Sequence, residues 1–161
     1  MYIIDIMYII YYNGGKEMND MFLISATEAR NNWSSVIDNA IRQKPQFIKR
    51  TRDELVLSNT DLIKYLLKPY KFSASKFVED DGSVTLSLNN IDIVENALTE
   101  KEALIKMAKS IKEYSEDFYK DFEYWGSAPN RKEHMPFVLK AILSDTFEEI
   151  MESIECHDGE N

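Results

Sequence analysis

Cysteine is almost absent from this 161-residue chain, Cys156 being the single one. No disulfide can form within it, so a reducing, cytoplasmic setting suits it. Long apolar runs are missing too. The longest, Met1 to Tyr12, reads MYIIDIMYIIYY and is broken by Asp5. A bilayer span needs about 20 apolar residues. The run also lacks the basic flank and small-residue cleavage site of a secretory signal. No membrane association is expected. Catalytic signatures are lacking as well: there is no Gly-rich phosphate loop, no nucleophile–base pair and no metal-spaced Cys/His set. Asp80, Asp81 and Asp92 imitate a carboxylate cluster, but Asp80-Asp81-Gly82 is turn chemistry and Asp92 follows a strand. His134 stands near a helix start, where Asn130 can cap. Cys156-His157 lies near an end expected to fray. The chain is expected not to be an enzyme and to need no cofactor or metal.

What is present is a folding composition, 44% apolar and 29% charged. Charge is uneven. Residues 18–69 carry eight Lys/Arg against six Asp/Glu, and residues 70–161 ten against twenty. A slightly basic half joined to a strongly acidic one suggests two partners, nucleic acid for the first and a basic protein for the second. Acidity that merely aids solubility is the plainer alternative. Asn13-Gly14-Gly15-Lys16-Glu17-Met18 is what a purine-rich ribosome-binding sequence yields when translated in frame. Translation is therefore expected to start at Met18 or Met21, with residues 1–20 an upstream extension or disordered. An intact mass that includes Met1 would refute this.

Met21 to Ile24 predicts a short strand. Ser25-Ala26-Thr27-Glu28 has the capping-box spacing, so Ser25 caps a helix that runs to about Gln43. Its apolar stripe is Ala29, Trp33, Val36, Ile37, Ala40 and Ile41, and Lys44-Pro45 ends it. Gln46 to Arg50 and Glu54 to Ser58 read as strands joined by a turn at Thr51-Arg52-Asp53. Asn59 or Thr60 then caps a helix with Leu62, Ile63, Leu66 and Leu67 on its inner face, closed by Pro69. The order is β-α-β-β-α.

The segment from Ile24 to Leu67 resembles the Phd/YefM family of antitoxins. The matches are the strand with Ser25, Ala29-Arg30, Asn32, Ser34, the Pro45-x-x-Ile48 strand and Arg50 at the hairpin. Trp33 replaces the usual Leu, and Leu62 replaces a frequent aromatic. The resemblance implies a homodimer with a shared sheet and core, set on a palindromic operator. It implies DNA contacts from Arg30 and Arg50, whose guanidinium groups fork onto a guanine edge or a phosphate. Ser25, Asn32 and Ser34 would give neutral phosphate contacts, or Asn32 and Ser34 only orient the helix. Lys49 and Arg52 would add salt-sensitive attraction, or are ordinary solvated charges.

In the second half, Lys71 to Val78 reads as a linker entering a strand. A turn at Asp80-Asp81-Gly82 and the alternating strand Ser83–Leu88 follow, then Ile91 to Ala97. Thr99 and Glu102 form a second capping box on a helix to about Tyr124. Its inner face would be Ala103, Leu104, Met107, Ala108, Ile111, Tyr114, Phe118 and Phe122. Trp125 to Asn130 breaks it, and helices are expected at Lys132–Leu143 and Thr146–Glu155. Thr99, Glu102, Ala103 and the stripe, within residues 77–120, resemble the core of HicB-like antitoxin domains. Such domains look like a reduced RNase H fold without a working active site.

The expected fold is α+β: a Phd/YefM-like dimerisation and DNA-binding module at residues 21–69, then an acidic HicB-like and helical domain at 70–161. The expected function is that of a type II antitoxin. It would bind operator DNA as a dimer or higher oligomer and neutralise a cognate toxin, a basic RNase of the RelE class. A transcriptional regulator without a toxin, its second half sensing a ligand or assembling oligomers, is the alternative.

Overall fold

The computed structural model describes residues 22–159. The expected upstream extension and both candidate start residues lie outside them. The chain divides into two compact units, one ending at Asn59 and the other starting at Thr60. The expected α+β class holds: seven α-helices and two mixed sheets occur among the described residues.

In the first unit, β1 (Leu23–Ser25) leads into α1 (Ala26–Asn31) and α2 (Trp33–Arg42), then the hairpin β2 (Gln46–Arg50) and β3 (Asp53–Leu57). Sheet order is β1-β2-β3, with β1 parallel to β2 and β3 antiparallel to it. Ser25 caps as expected, its Oγ accepting from the Glu28 N–H at 3.1 Å. The single helix expected to Gln43 is two helices. Asn32 leaves helical geometry at φ −118°, ψ 32°. Its backbone and side-chain amides both donate to the Glu28 carbonyl, closing α1, and its own carbonyl accepts from Val36, opening α2. Asparagine competes with helical backbone bonding in this way. Among the described residues the core is small: Ala29, Val36 and Ile48, flanked by Ile24, Ala26 and Leu57, with Ala40 also buried. Phe22, Trp33, Ile41, Leu55 and Val56 stay exposed.

The second unit opens with α3 (Thr60–Leu66), the helix that the sequence pattern attached to the first module. Then come β4 (Phe72–Val78), β5 (Val84–Leu88), β6 (Val94–Ala97), α4 (Glu100–Lys120), α5 (Phe122–Ser127), a 3-10 turn (Pro129–His134), α6 (Met135–Leu143), α7 (Phe147–Glu152) and β7 (Ile154–Asp158). The segment read as a linker is mostly β4. Its order is set by strand pairing on both sides, which no local pattern reveals. The sheet runs β6-β5-β4-β7, an antiparallel meander with β7 added parallel to β4. One sheet face carries Phe72, Ala74, Leu86 and Leu88 against Ala103, Met107, Ala108 and Ile111 of α4, Ala141 of α6 and Ile150 of α7. The other is a polar ladder in which Asn89 bonds Ser73 and Ser75, and Asn96 bonds Ser83 and Thr85. This alternation is that of a half-covered antiparallel sheet.

Several boundaries differ from expectation. The long helix stops at Lys120, and Phe122, placed on its inner face by periodicity, is exposed, while Ser115 is buried. The helix expected from Lys132 starts at Met135, where Pro136 suits a first turn. The helix expected to Glu155 ends at Glu152, and Cys156-His157 is no frayed tail: Cys156 sits on β7 opposite Ala74. The Thr99 cap forms as read, accepting from the Glu102 N–H at 3.2 Å.

Candidate nucleic-acid interface

The parallel β1–β2 register aligns Ser25 with Lys49. The strand ends that lead into α1 and into the β2–β3 loop therefore lie at the same end of the sheet. Arg50 and Asp53 face each other across a two-residue loop of Thr51 and Arg52. Thr51 adopts φ 57°, the left-handed region that β-branched residues rarely enter. Sequence patterning pointed to the turn but not to this strain. A Thr where glycine or asparagine is usual was the signal available.

Arg30 lies one turn into α1, yet its guanidinium folds back toward the helix start. Nε donates to the Ala26 carbonyl at 3.4 Å and an Nη to Thr27 Oγ1 at 3.5 Å. Both contacts are long and therefore weak, so the group is easily redirected. The Ser25 hydroxyl is committed to its cap. Asn32 is committed to the helix junction. Ser34 is exposed in the first turn of α2. Arg50 and Arg52 are exposed, and Lys49, opposite Glu54 in register, is half-buried. The geometry thus gathers Ser25, Arg30, Lys49, Arg50 and Arg52 around one end of the sheet. Asn32 and Ser34 stand at the helix junction.

The groups that imitated an active site have structural work. Asp81 accepts from the Ser83 N–H at 2.9 Å, and bonding from Ser83 holds its carboxyl below the usual range. Gly82, at φ 83°, completes that turn. His134 Nδ1 lies 2.7 Å from the Tyr114 hydroxyl. Burial, then the Arg131 charge, holds His134 below its ordinary value, and burial raises Tyr114. Burial also raises the Cys156 thiol, which disfavours the reactive thiolate. Among the described residues no group of three His, Cys, Asp or Glu is arranged to hold a metal. No described helix is long and apolar enough to cross a membrane.

A family model described as PHD-like, antitoxin of toxin-antitoxin, RelE / RelB, TA system, matches residues 19–156. The chain belongs to this antitoxin family. The match runs through both units. The antitoxin is also similar to the crystal structure of an antitoxin part of a candidate toxin/antitoxin system from Syntrophomonas wolfei subsp. wolfei. The two are 36% identical with a TM-score of 0.81, over 85% of this chain and 99% of that one. No curated protein matches. Membership points to a regulatory, non-enzymatic role for the antitoxin, with a cognate toxin as its partner.

Proposed function

We propose that the antitoxin is a two-part regulator. Its first unit, of the Phd/YefM type, dimerises and binds operator DNA to repress its own transcription. Its second unit, HicB-like in its meander and long helix, neutralises the toxin, a basic RNase of the RelE class. One observation carries the DNA reading: the guanidinium of Arg30 and the Lys49–Arg52 hairpin end lie at one end of one small sheet. Arg30 and Arg50 would fork onto guanine edges or phosphates. Ser34 would touch phosphate as a neutral donor, Asn32 would orient the helices through its junction bond, and Ser25 would hold the helix that presents Arg30. Lys49 and Arg52 would supply the salt-sensitive attraction.

Dimerisation is supported by what the first unit leaves uncovered. Among the described residues only Ala29, Val36, Ala40 and Ile48 are buried apolar side chains of this unit, a poor core for a segment this size, and such small units generally need oligomerisation or another brace. Trp33 and Leu55 are each 49% exposed and Val56 is 55% exposed. A second copy covering them would supply the missing core, and a two-fold pair would match a palindromic operator. Fluorescence anisotropy on the DNA upstream of its own gene tests this. Arg30→Ala and Arg50→Ala should each lose about 1–3 kcal/mol of binding, while sedimentation shows the dimer intact. Unchanged affinity refutes the assignment. For the second unit, the adjacent gene's product should be toxic alone and harmless on co-expression.

A further inference from the structure

Between Glu116 and Trp125, across the junction of α4 and α5, the second unit exposes both aromatic rings and carboxylates. Tyr124 is 69% exposed, and Tyr119 and Phe122 are also exposed. Phe122 and Tyr124 are held from behind. Phe122 packs on the buried Phe118 with ring centroids 6.1 Å apart. Tyr124 stands edge-on to Trp125 at 5.7 Å, and Trp125 leans in turn on Tyr114 at 5.8 Å and Phe118 at 6.4 Å. The inner side is fixed and the outer side meets solvent.

Glu116, Asp117, Asp121 and Glu123 alternate with these rings along the same ten-residue stretch, all exposed. Lys120 is the one cation in the stretch, 3.9 Å from carboxylate oxygens of both Glu116 and Asp117. Among the described residues, Asp121 and Glu123 have no ion-pair partner. The molecule itself shows what such rings accept: the Arg131 guanidinium lies 3.9 Å from the Trp125 ring centroid. A flat, weakly hydrated guanidinium stacks on aromatic faces better than an ammonium does, and it pairs with carboxylates through two parallel bonds. A surface that was only acidic would take any cation. Rings and carboxylates together select arginine. The net charge of −9 would steer a basic partner toward the chain.

We propose that Tyr119, Phe122 and Tyr124, with Asp121 and Glu123, form a docking surface for an arginine-bearing segment of the cognate toxin. This rests on the reading of the second unit as the neutralising one.

The test uses the full chain and two labelled peptides of equal length and charge, deca-arginine and deca-lysine. Deca-arginine should bind about fivefold more tightly, and its backbone amide perturbations should centre on Tyr119–Trp125. The double variant Tyr119→Ser, Tyr124→Ser changes only exposed side chains, and circular dichroism checks its fold. It should lose the arginine preference and keep the weak binding common to both peptides. Asp121→Asn with Glu123→Gln should weaken both. Equal peptide affinities, or a preference that survives the tyrosine changes, overturn the proposal. The adjacent gene's product is titrated alongside. If the native chain binds it and the tyrosine variant binds about tenfold more weakly, the proposal stands. If both bind equally, this surface is wrong and neutralisation stands. If the native chain does not bind it, neutralisation and the proposed occupant fall together.

Discussion

Replacing Thr51 by glycine should stabilise the first unit, the reverse of what most substitutions do. Thr51 stands at φ 57° in the loop between β2 and β3. The left-handed region costs an L-residue roughly 1–2 kcal/mol, and β-branching makes it worse. Glycine removes that cost but gives the unfolded chain more freedom, which returns roughly 0.5–1 kcal/mol. The balance is a gain centred on about 0.75 kcal/mol. With two compact units, a single global melting temperature would blur this. Amide hydrogen exchange reads it locally. Ile48 and Leu55, which face each other across the hairpin, should exchange about two- to fivefold more slowly in Thr51→Gly. Ala74 and Cys156, paired in the other sheet, should not change and serve as the control. Unchanged or faster exchange at Ile48 and Leu55 would refute the argument, because the threonine side chain would then be stabilising the loop by more than its backbone costs.

Ser115 Oγ is buried on α4 without a hydrogen-bond partner among the described residues. Ser115→Ala should therefore raise the stability of the second unit by about 1 kcal/mol, read as a higher urea midpoint at unchanged slope. The Lys140 Nζ donates to the carbonyls of Leu67 and Lys68, each at 3.4 Å, and of Tyr70, so it ties α6 to the turn after α3. Lys140→Met should cost about 1.5–3 kcal/mol by the same assay, and a neutral result would mean the carbonyls find water instead. The folded value of His134 lies below its unfolded one, so the folded state takes up its proton later on acidification. Its contribution is complete above about pH 6.5 and is lost as pH falls from there through the lowered folded value. The melting of the second unit, followed at its own amide signals between pH 7.5 and 5.5, should consequently drop further in the native chain than in His134→Gln, and equal drops would sink this account.

The features legible in the sequence were those fixed by neighbours in the chain. The side-chain caps at Ser25 and Thr99 and the turn at Gly82 each need only three or four consecutive residues, and each forms, although among the described residues the Glu28 and Glu102 carboxylates do not return the reciprocal bond of a full capping box. The break at Asn32 was also local, but an apolar stripe running through Trp33 and Val36 masked it. β7 could not be read, because Ile154–Asp158 becomes a strand only by pairing with Phe72–Lys76. Phe122 was misplaced for a similar reason: α4 ends at Lys120, and α5 starts with its own phase. Within the candidate interface, the residue types were visible and their convergence was not. The adjacency of Ser25 and Lys49 comes from a parallel register across two intervening helices, which no periodicity encodes.

That parallel β4–β7 pairing also sets an order of events during synthesis. Every strand of the first sheet has been translated once Leu57 is in place, and its pairings span short stretches of chain. The second sheet waits until α4 to α7 have all been made, because its last strand follows them. Long-range closure of this kind is slow relative to local pairing. A nascent antitoxin thus has the three strands of its first sheet paired while Phe72 and Ala74 still lack their outer neighbour. Clipping the chain before Ile154 would do more than shorten a tail: it would hold the second unit in that unfinished state.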